Sequence, residues 1–452
     1  MDAVRMKPKG ERVPYQVKLS CVFMGLGQLF CRQFTKGALL MLLEIGSILF
    51  LVFAGVENII GLFTLGTTEG VPIMGLEGDN SISMLAWGIT TVFLVLLFAL
   101  AYYANIKDVI YTTGEIAKGN RVKNFLESCQ TLLNKKFYFL TLTLPLVFVC
   151  IFNIMPIVFT ALVAFTNYGG EIVPPRLVSW TGFQSFRVIF TMSEYIGTMG
   201  KILAWNILWA VGSTFLVYFG GLGLALLYNS ACLKFKRFWR VFPMFAYAIP
   251  SFITLTGFYF MFCDSGPIVG LLKEWGWVSE NFTIISYDSK WSLRLLGFFC
   301  CAWVGVPSVM FLATGILSNV SKDTYEAARL DGANAFQQFW YLTLPFVLFA
   351  TTPVIISTFI NQFNNFSIFY FLRPETVYAP GYFNANSSDL LINWMYNLTV
   401  ENRLYSLGSA LSLILFAFMA VFSLIAYVTS PAYKKEDTYR SRRKYISVPK
   451  RR

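Results

Sequence analysis

The sequence predicts an all-α membrane protein of about eight transmembrane helices, and three observations carry that fold class. Apolar residues gather into runs of about 18 or more, each long enough to cross about 30 Å of hydrocarbon as a helix. Of the 452 residues, 56% are hydrophobic and only 13% are charged, about half the charged share of an ordinary globular domain. The runs are also continuous. They lack the short alternating segments of an outer-membrane barrel, which leaves helices, the structures that satisfy their own backbone hydrogen bonds in lipid.

Eight spans are expected at about 37–56, 84–106, 137–165, 203–228, 240–262, 294–318, 346–370 and 406–428. The connecting segments differ sharply in charge. The N-terminal stretch, 107–136, 229–240, 319–345 and the C-terminal tail hold 28 Lys and Arg, whereas 57–83, 166–202, 263–293 and 371–405 hold 7. The positive-inside rule assigns the first set, and with it both termini, to the cytoplasm. The net charge of +12 therefore marks topology and contact with the lipid bilayer, not nucleic acid. Residues 1–136 look like an N-terminal extension with two spans and a basic cytoplasmic connection. Residues 137–430 look like a six-span core, and 431–452 form a basic cytoplasmic tail.

No cleavable signal peptide is expected, because the first span is long and no small-residue cleavage pattern follows the basic start. The eight cysteines are scattered and the chain has no histidine. No disulfide framework or metal site is expected, and the cysteines read as small apolar packing residues. Glu44 falls within the first span, where a carboxylate is costly. It could serve a proton relay, or lie near the cytoplasmic end and reach the interface.

Polar side chains in the seventh span form a pattern. In PVIISTFINQFNNFSIFYF, Thr358, Asn361, Gln362 and Asn365 follow the i, i+3, i+4, i+7 rule and share one helical face, with Asn364 beside them. Phe359, Phe363 and Phe366 are interleaved. Neutral carboxamides with flat aromatic surfaces suit a neutral polyhydroxy ligand. The same residues could equally serve as hydrogen-bonding glue between helices. In the sixth span, AWVGVPS places Gly305 and Pro307 where a kink could open a site or merely aid packing.

Between the sixth and seventh spans lies TYEAARLDGANAFQQFWYLTLP, too polar to cross a membrane and too patterned for a slack loop. Asp323 can cap a helix with Glu326 reaching back. Gly332 is a natural stop. A second short helix with Phe336, Phe339 and Trp340 on one side should follow, and Pro345 suits the first turn of the next span.

The run Glu326–Ala327–Ala328, then Asp331, Gly332 and Leu344–Pro345, resembles the EAA loop of permease subunits of ATP-binding-cassette (ABC) importers. YAIPSFIT (247–254), NQFNNF (361–366), SDLLINWMYNLT (387–399) and AFTNYGG (164–170) are similar to the MalF-type maltose/maltodextrin branch. GLGQLFCRQFTKG (25–37) is similar to extensions on such permeases from Gram-positive bacteria. The resemblance implies that Glu326, Ala327, Ala328, Asp331 and Gly332 dock on an ATPase subunit as a coupling helix. It also implies that Trp303, Gly305, Thr358, Asn361, Gln362 and Asn365 line a sugar pocket. Cys301, Val304 and Ser308 align with pocket positions too, and like Asn361 they depart from the family's side chains there.

The chain has no phosphate-cradling GxxxxGK[ST] motif and no histidine base, so no catalytic residue and no enzyme activity of its own are expected. The resemblance then implies ATP and Mg on two partner ATPase subunits, a second permease subunit, an extracellular solute-binding protein and an oligosaccharide substrate, moved by alternating access. The rival readings are an ion-coupled secondary sugar transporter, for which Glu44 is the sole candidate acid, and a non-transporting membrane scaffold.

Overall fold

The computed structural model describes residues 14–70, 78–122, 124–134, 137–230, 233–286, 290–319, 321–373 and 378–429. The predicted basic tail 431–452 and most of the basic start lie outside them. Among the described residues the regular elements are helices, with two isolated β-bridges, Thr166–Trp180 and Gly169–Ile172. Among the described residues eight helical segments are long and apolar enough to cross a membrane: Phe34–Thr64, Ser81–Ala117, Thr141–Val163, Ser193–Asn229, Ser251–Glu274, Lys290–Leu317, Ala335–Leu372 and Tyr405–Thr429. The all-α expectation and the number of spans hold. The chain divides into two compact units, residues 1–182 and 183–452, so the third span groups with the first two.

In the first unit, Gly88 lets the second span approach the first. A Cβ there would fall 2.5 Å from the Leu62 side chain, and Asn58 Nδ2 donates to Thr91 Oγ1 across the same seam (3.1 Å). Asn80 caps the second span by accepting from the Ile82 and Ser83 amides. Short helices Tyr15–Ser20 and Leu26–Phe30 fold against these spans. Gln28 Nε2 donates to Asn105 Oδ1 (2.6 Å), and Lys36 pairs with Asp108 (2.6 Å). Glu44 is 7% exposed and its carboxylate accepts the Met24 amide. The acid is thus spent on anchoring the N-terminal fold, which answers its desolvation cost locally.

The second unit is built on the fourth span, Ser193–Asn229, packed against the sixth and seventh. Close crossing needs small residues, as is usual between membrane helices. A Cβ on Gly221 would meet Val309 at 2.6 Å, and one on Gly305 would meet Val217 at 2.8 Å. Toward the other end large rings fill the core: Trp209 lies 4.8 Å from both Phe298 and Phe369, centroid to centroid.

The fifth span differs from the single helix expected. The predicted 240–262 span is an amphipathic helix Lys236–Ala248, an interruption at Ile249–Pro250, and a helix Ser251–Phe262. Pro250 has no amide to continue the ladder, which ends the first helix. By contrast, Pro307 does not break the sixth span, which runs unbroken over Lys290–Leu317.

Candidate functional site

The seventh span carries the interruption that the sixth lacks. Helix Ala335–Gln338 runs through a π-turn, Phe339–Thr343, into Leu344–Phe363. Pro345 therefore lies within a continuous helix, and the second short helix is not a separate element. The wider π-turn just before Pro345 accommodates its missing amide. The helix then ends at Phe363 and restarts as Ser367–Leu372.

A break among apolar spans must satisfy the carbonyls it frees, and neighbouring side chains do so. Trp209 Nε1 donates to the Gln362 carbonyl (3.1 Å) and Asn206 Nδ2 to that of Phe363 (3.0 Å). Asn393 Nδ2 donates to the Phe366 carbonyl (2.9 Å). Asn206 works twice, since its Oδ1 accepts the Leu391 amide (2.8 Å). Asn206 and Trp209 were not singled out from the sequence. Their signal was an Asn and a Trp spaced i, i+3 in an otherwise apolar run.

The predicted pocket residues do not all meet. Asn365 Nδ2 donates to Gln362 Oε1 (3.0 Å), and the Cys301 thiol points at the same oxygen (3.5 Å). These three form one polar cluster at the break, bridging the sixth and seventh spans. Thr358 and Asn361 lie on the helix before the break, half-buried and exposed respectively. The expected single face from 358 to 365 is not formed, because Asn365 lies past the helix end. Asn364 instead lines a cavity of about 410 Å³ with Ser412 and Met395. Trp303 is exposed and meets the Phe258 ring edge-on at 6.1 Å. It stands two residues, about 200° of helical turn, from Cys301. Gly305 belongs to the crossing with the fourth span, where its missing side chain makes room for Val217. Ser308 is exposed and bonds back to the Gly305 carbonyl (2.7 Å).

The polar loop forms a second candidate surface. Helix Lys322–Leu330 is capped by Ser321, whose Oγ accepts the Asp323 amide (3.2 Å), so Ser321 takes the capping place expected of Asp323. The helix closes with the Gly332 amide on the Arg329 carbonyl and the Ala333 amide on the Ala328 carbonyl, a left-handed stop. Gly332 has φ +82°, and a Cβ there would meet nothing within 4 Å. The capping box falls instead on Asn334 and Gln337, opening the next helix. Glu326, Ala327, Asp331 and Gly332 are exposed and Ala328 is half-buried. Leu330 is 90% exposed, and Phe336 stacks on Trp340 at 6.2 Å with both rings open. Tyr325 and Thr343 hydroxyls bond at 2.8 Å, tying the first loop helix to the base of the seventh span.

The segment between the seventh and eighth spans is held by a third polar group. Buried Asp389 accepts the Asn386 amide (2.8 Å) and Asn397 Nδ2 (2.9 Å). Arg373 pairs with Glu401 and donates to Asn397 Oδ1 (2.8 Å). Burial pushes the Asp389 carboxyl up to about 6, against the opposing pull of these donors and of Arg373.

A family model described as "Binding-protein-dependent transport system inner membrane component" matches residues 218–435. The galactooligosaccharides transport system permease protein GanP of Bacillus subtilis (strain 168) is 33% identical over 92% of this chain and 98% of its own length. The maltodextrin transport system permease protein MdxF of the same organism is 33% identical over 93% and 96%. A bacterial ABC transporter involved in importing the acidic polysaccharide alginate shares the fold, with a TM-score of 0.54 at 16% identity over 66% of this chain and 96% of that one.

Proposed function

The chain belongs to the family of binding-protein-dependent transport system inner membrane components, and from that membership we propose that it passes maltodextrin-type oligosaccharides through an ATP-driven importer. It is a multi-pass membrane transport subunit, not an enzyme. In the proposed assembly a second permease subunit, two ATPase subunits carrying ATP and Mg, and an extracellular solute-binding protein complete the machine. Residues 137–430 form the transport core, with 1–136 as an accessory extension.

The observation that carries the mechanism is continuity. From Ala335 to Phe363 the helix is unbroken, so the loop surface and the polar break at Gln362–Asn365 are two ends of one rod. Tyr325–Thr343 fastens helix Lys322–Leu330 to that rod. Closure of ATPase subunits against Glu326–Gly332 then moves the break and alternates its access between the two faces. The shift in population is set by how differently the ATPases contact the two states. Gln362 and Asn365 present carboxamides to sugar hydroxyls, and Thr358 and Asn361 extend the polar track along the same rod. Glu44, the acid an ion-coupled carrier would use, is engaged by the Met24 amide in the first unit.

The test is ATP hydrolysis by the reconstituted complex against a panel of maltodextrins and galactooligosaccharides. Stimulation by maltodextrins, lost in Asn365→Leu with assembly intact, is expected. Stimulation by galactooligosaccharides alone would overturn the sugar assignment. Normal stimulation in Asn365→Leu would remove that residue from the sugar path.

A further inference from the structure

A cavity of about 530 Å³ lies at the end of the second unit opposite the polar loop. Lys201, Lys290 and Arg294 line it together with Trp205, Leu208 and Tyr382, and no carboxylate does among the described lining residues. Arg294 is 5% exposed. One of its terminal nitrogens donates to the Ser387 carbonyl (2.6 Å), and its Nε has no hydrogen-bond partner among the described residues. A guanidinium buried with no counter-charge among the described residues is costly, so the cavity calls for an anion.

The surrounding groups narrow the kind of anion. The Arg294 guanidinium lies 3.9 Å over the Trp205 ring and 5.2 Å from that of Trp291. Lys201 Nζ lies 5.0 Å over Tyr382 and donates to the Gly381 carbonyl (2.9 Å). Aromatic faces that could have stacked on a sugar already hold cations. Below the cavity the fourth span turns an exposed apolar stripe outward: Ala204, Leu208, Val211 and Phe215 follow from Lys201 at helical spacing. A soluble partner's acidic side chain could meet the cations, but it would leave that stripe, which runs on into the span, uncovered. A phospholipid matches both features, with a phosphate for the cations and an acyl chain for the stripe.

We propose that this cavity is a binding site for an anionic phospholipid, its headgroup phosphate held by Arg294, Lys201 and Lys290 and one acyl chain laid along Leu208, Val211 and Phe215. The two lysines sit at the rim and draw the headgroup in. The Arg294 guanidinium, laid over Trp205, forms the inner wall of the cavity.

Native mass spectrometry of the full importer complex tests this, using phosphatidylglycerol and phosphatidylcholine with identical chains, a six-carbon-chain phosphatidylglycerol, and inorganic phosphate. Preferential retention of long-chain phosphatidylglycerol is expected, weakened about fivefold for each cation removed in Lys201→Gln and Lys290→Gln. The short-chain lipid and free phosphate should be retained far less. Arg294→Gln should remove the preference. Should that variant misfold, the rim lysine variants still decide the matter. Equal retention of the two headgroups, or undiminished preference in the double lysine variant, would overturn the proposal. So would tight binding of free phosphate, or charge-dependent binding of a solute-binding protein without lipid preference. Sugar-stimulated ATP hydrolysis is read separately, so failure here leaves the transport reading intact.

Discussion

Asn206 shows how one buried carboxamide governs a distant break. It donates to the Phe363 carbonyl and accepts the Leu391 amide, so Asn206→Leu strands two backbone groups. Each stranded group costs about 1–3 kcal/mol. The variant should unfold at a clearly lower temperature in a thermal-shift assay, whereas Asn361→Leu, exposed and free of such duties, should not. Asp389 adds a pH dependence of defined sign. Its carboxyl titrates near 6 in the folded loop, above the ordinary carboxylate value. Between those two values the unfolded loop has lost its proton and the folded one keeps it. Stability therefore falls as pH rises through that window and stays reduced above it, by about 3 kcal/mol at most. Limited proteolysis of the 378–402 segment should show better protection at pH 5 than at pH 7.5. Asp389→Asn should flatten the difference. A loop equally protected at both values in the native chain would show that Asp389 does not control it.

At the scale of elements, the loop helix ends where the sequence said it would, because Gly332 adopts a left-handed φ that costs other residues about 1–2 kcal/mol. Space within the chain does not demand glycine there, since an added Cβ would meet nothing. Gly332→Asn tests which constraint matters, because Asn tolerates this conformation. The variant chain should fold with unchanged thermal stability, yet ATP-driven sugar uptake should drop severalfold if the ATPase docks there as proposed, because the side chain would intrude on it. Full uptake would show that the surface around Gly332 is not gripped. The cap and the second loop helix were less legible. Ser321 and Asp323 both carry capping side chains two residues apart, and local sequence does not say which starts the helix. Pro345 reads as a helix start, but an upstream π-turn lets the helix continue through it, a choice set by how the seventh span packs. The residues at the break were visible as polar groups in an apolar run. That they gather at a helix end and not along one face depended on donors from the fourth span.

At the scale of the whole molecule, the Lys and Arg imbalance predicts the 166–202 segment outside and the N-terminus inside. Glu171→Cys should react with a membrane-impermeant maleimide in intact cells, while native Cys21, exposed in the structure, should react only after permeabilisation. Reversed labelling would invert the topology and with it the side from which sugar arrives. The sequence alone determined the helical membrane architecture, the number of spans and the loop motif, because hydrophobic length, charge bias and glycine conformation act locally along the chain. Only the tertiary structure decided which prolines and polar groups interrupt a helix. Gly305 became a packing contact, Glu44 an anchor, and Gln362 with Asn365 a cluster at a break. Each of these outcomes depends on which neighbour supplies the missing hydrogen bond or the space, and that neighbour is distant in sequence.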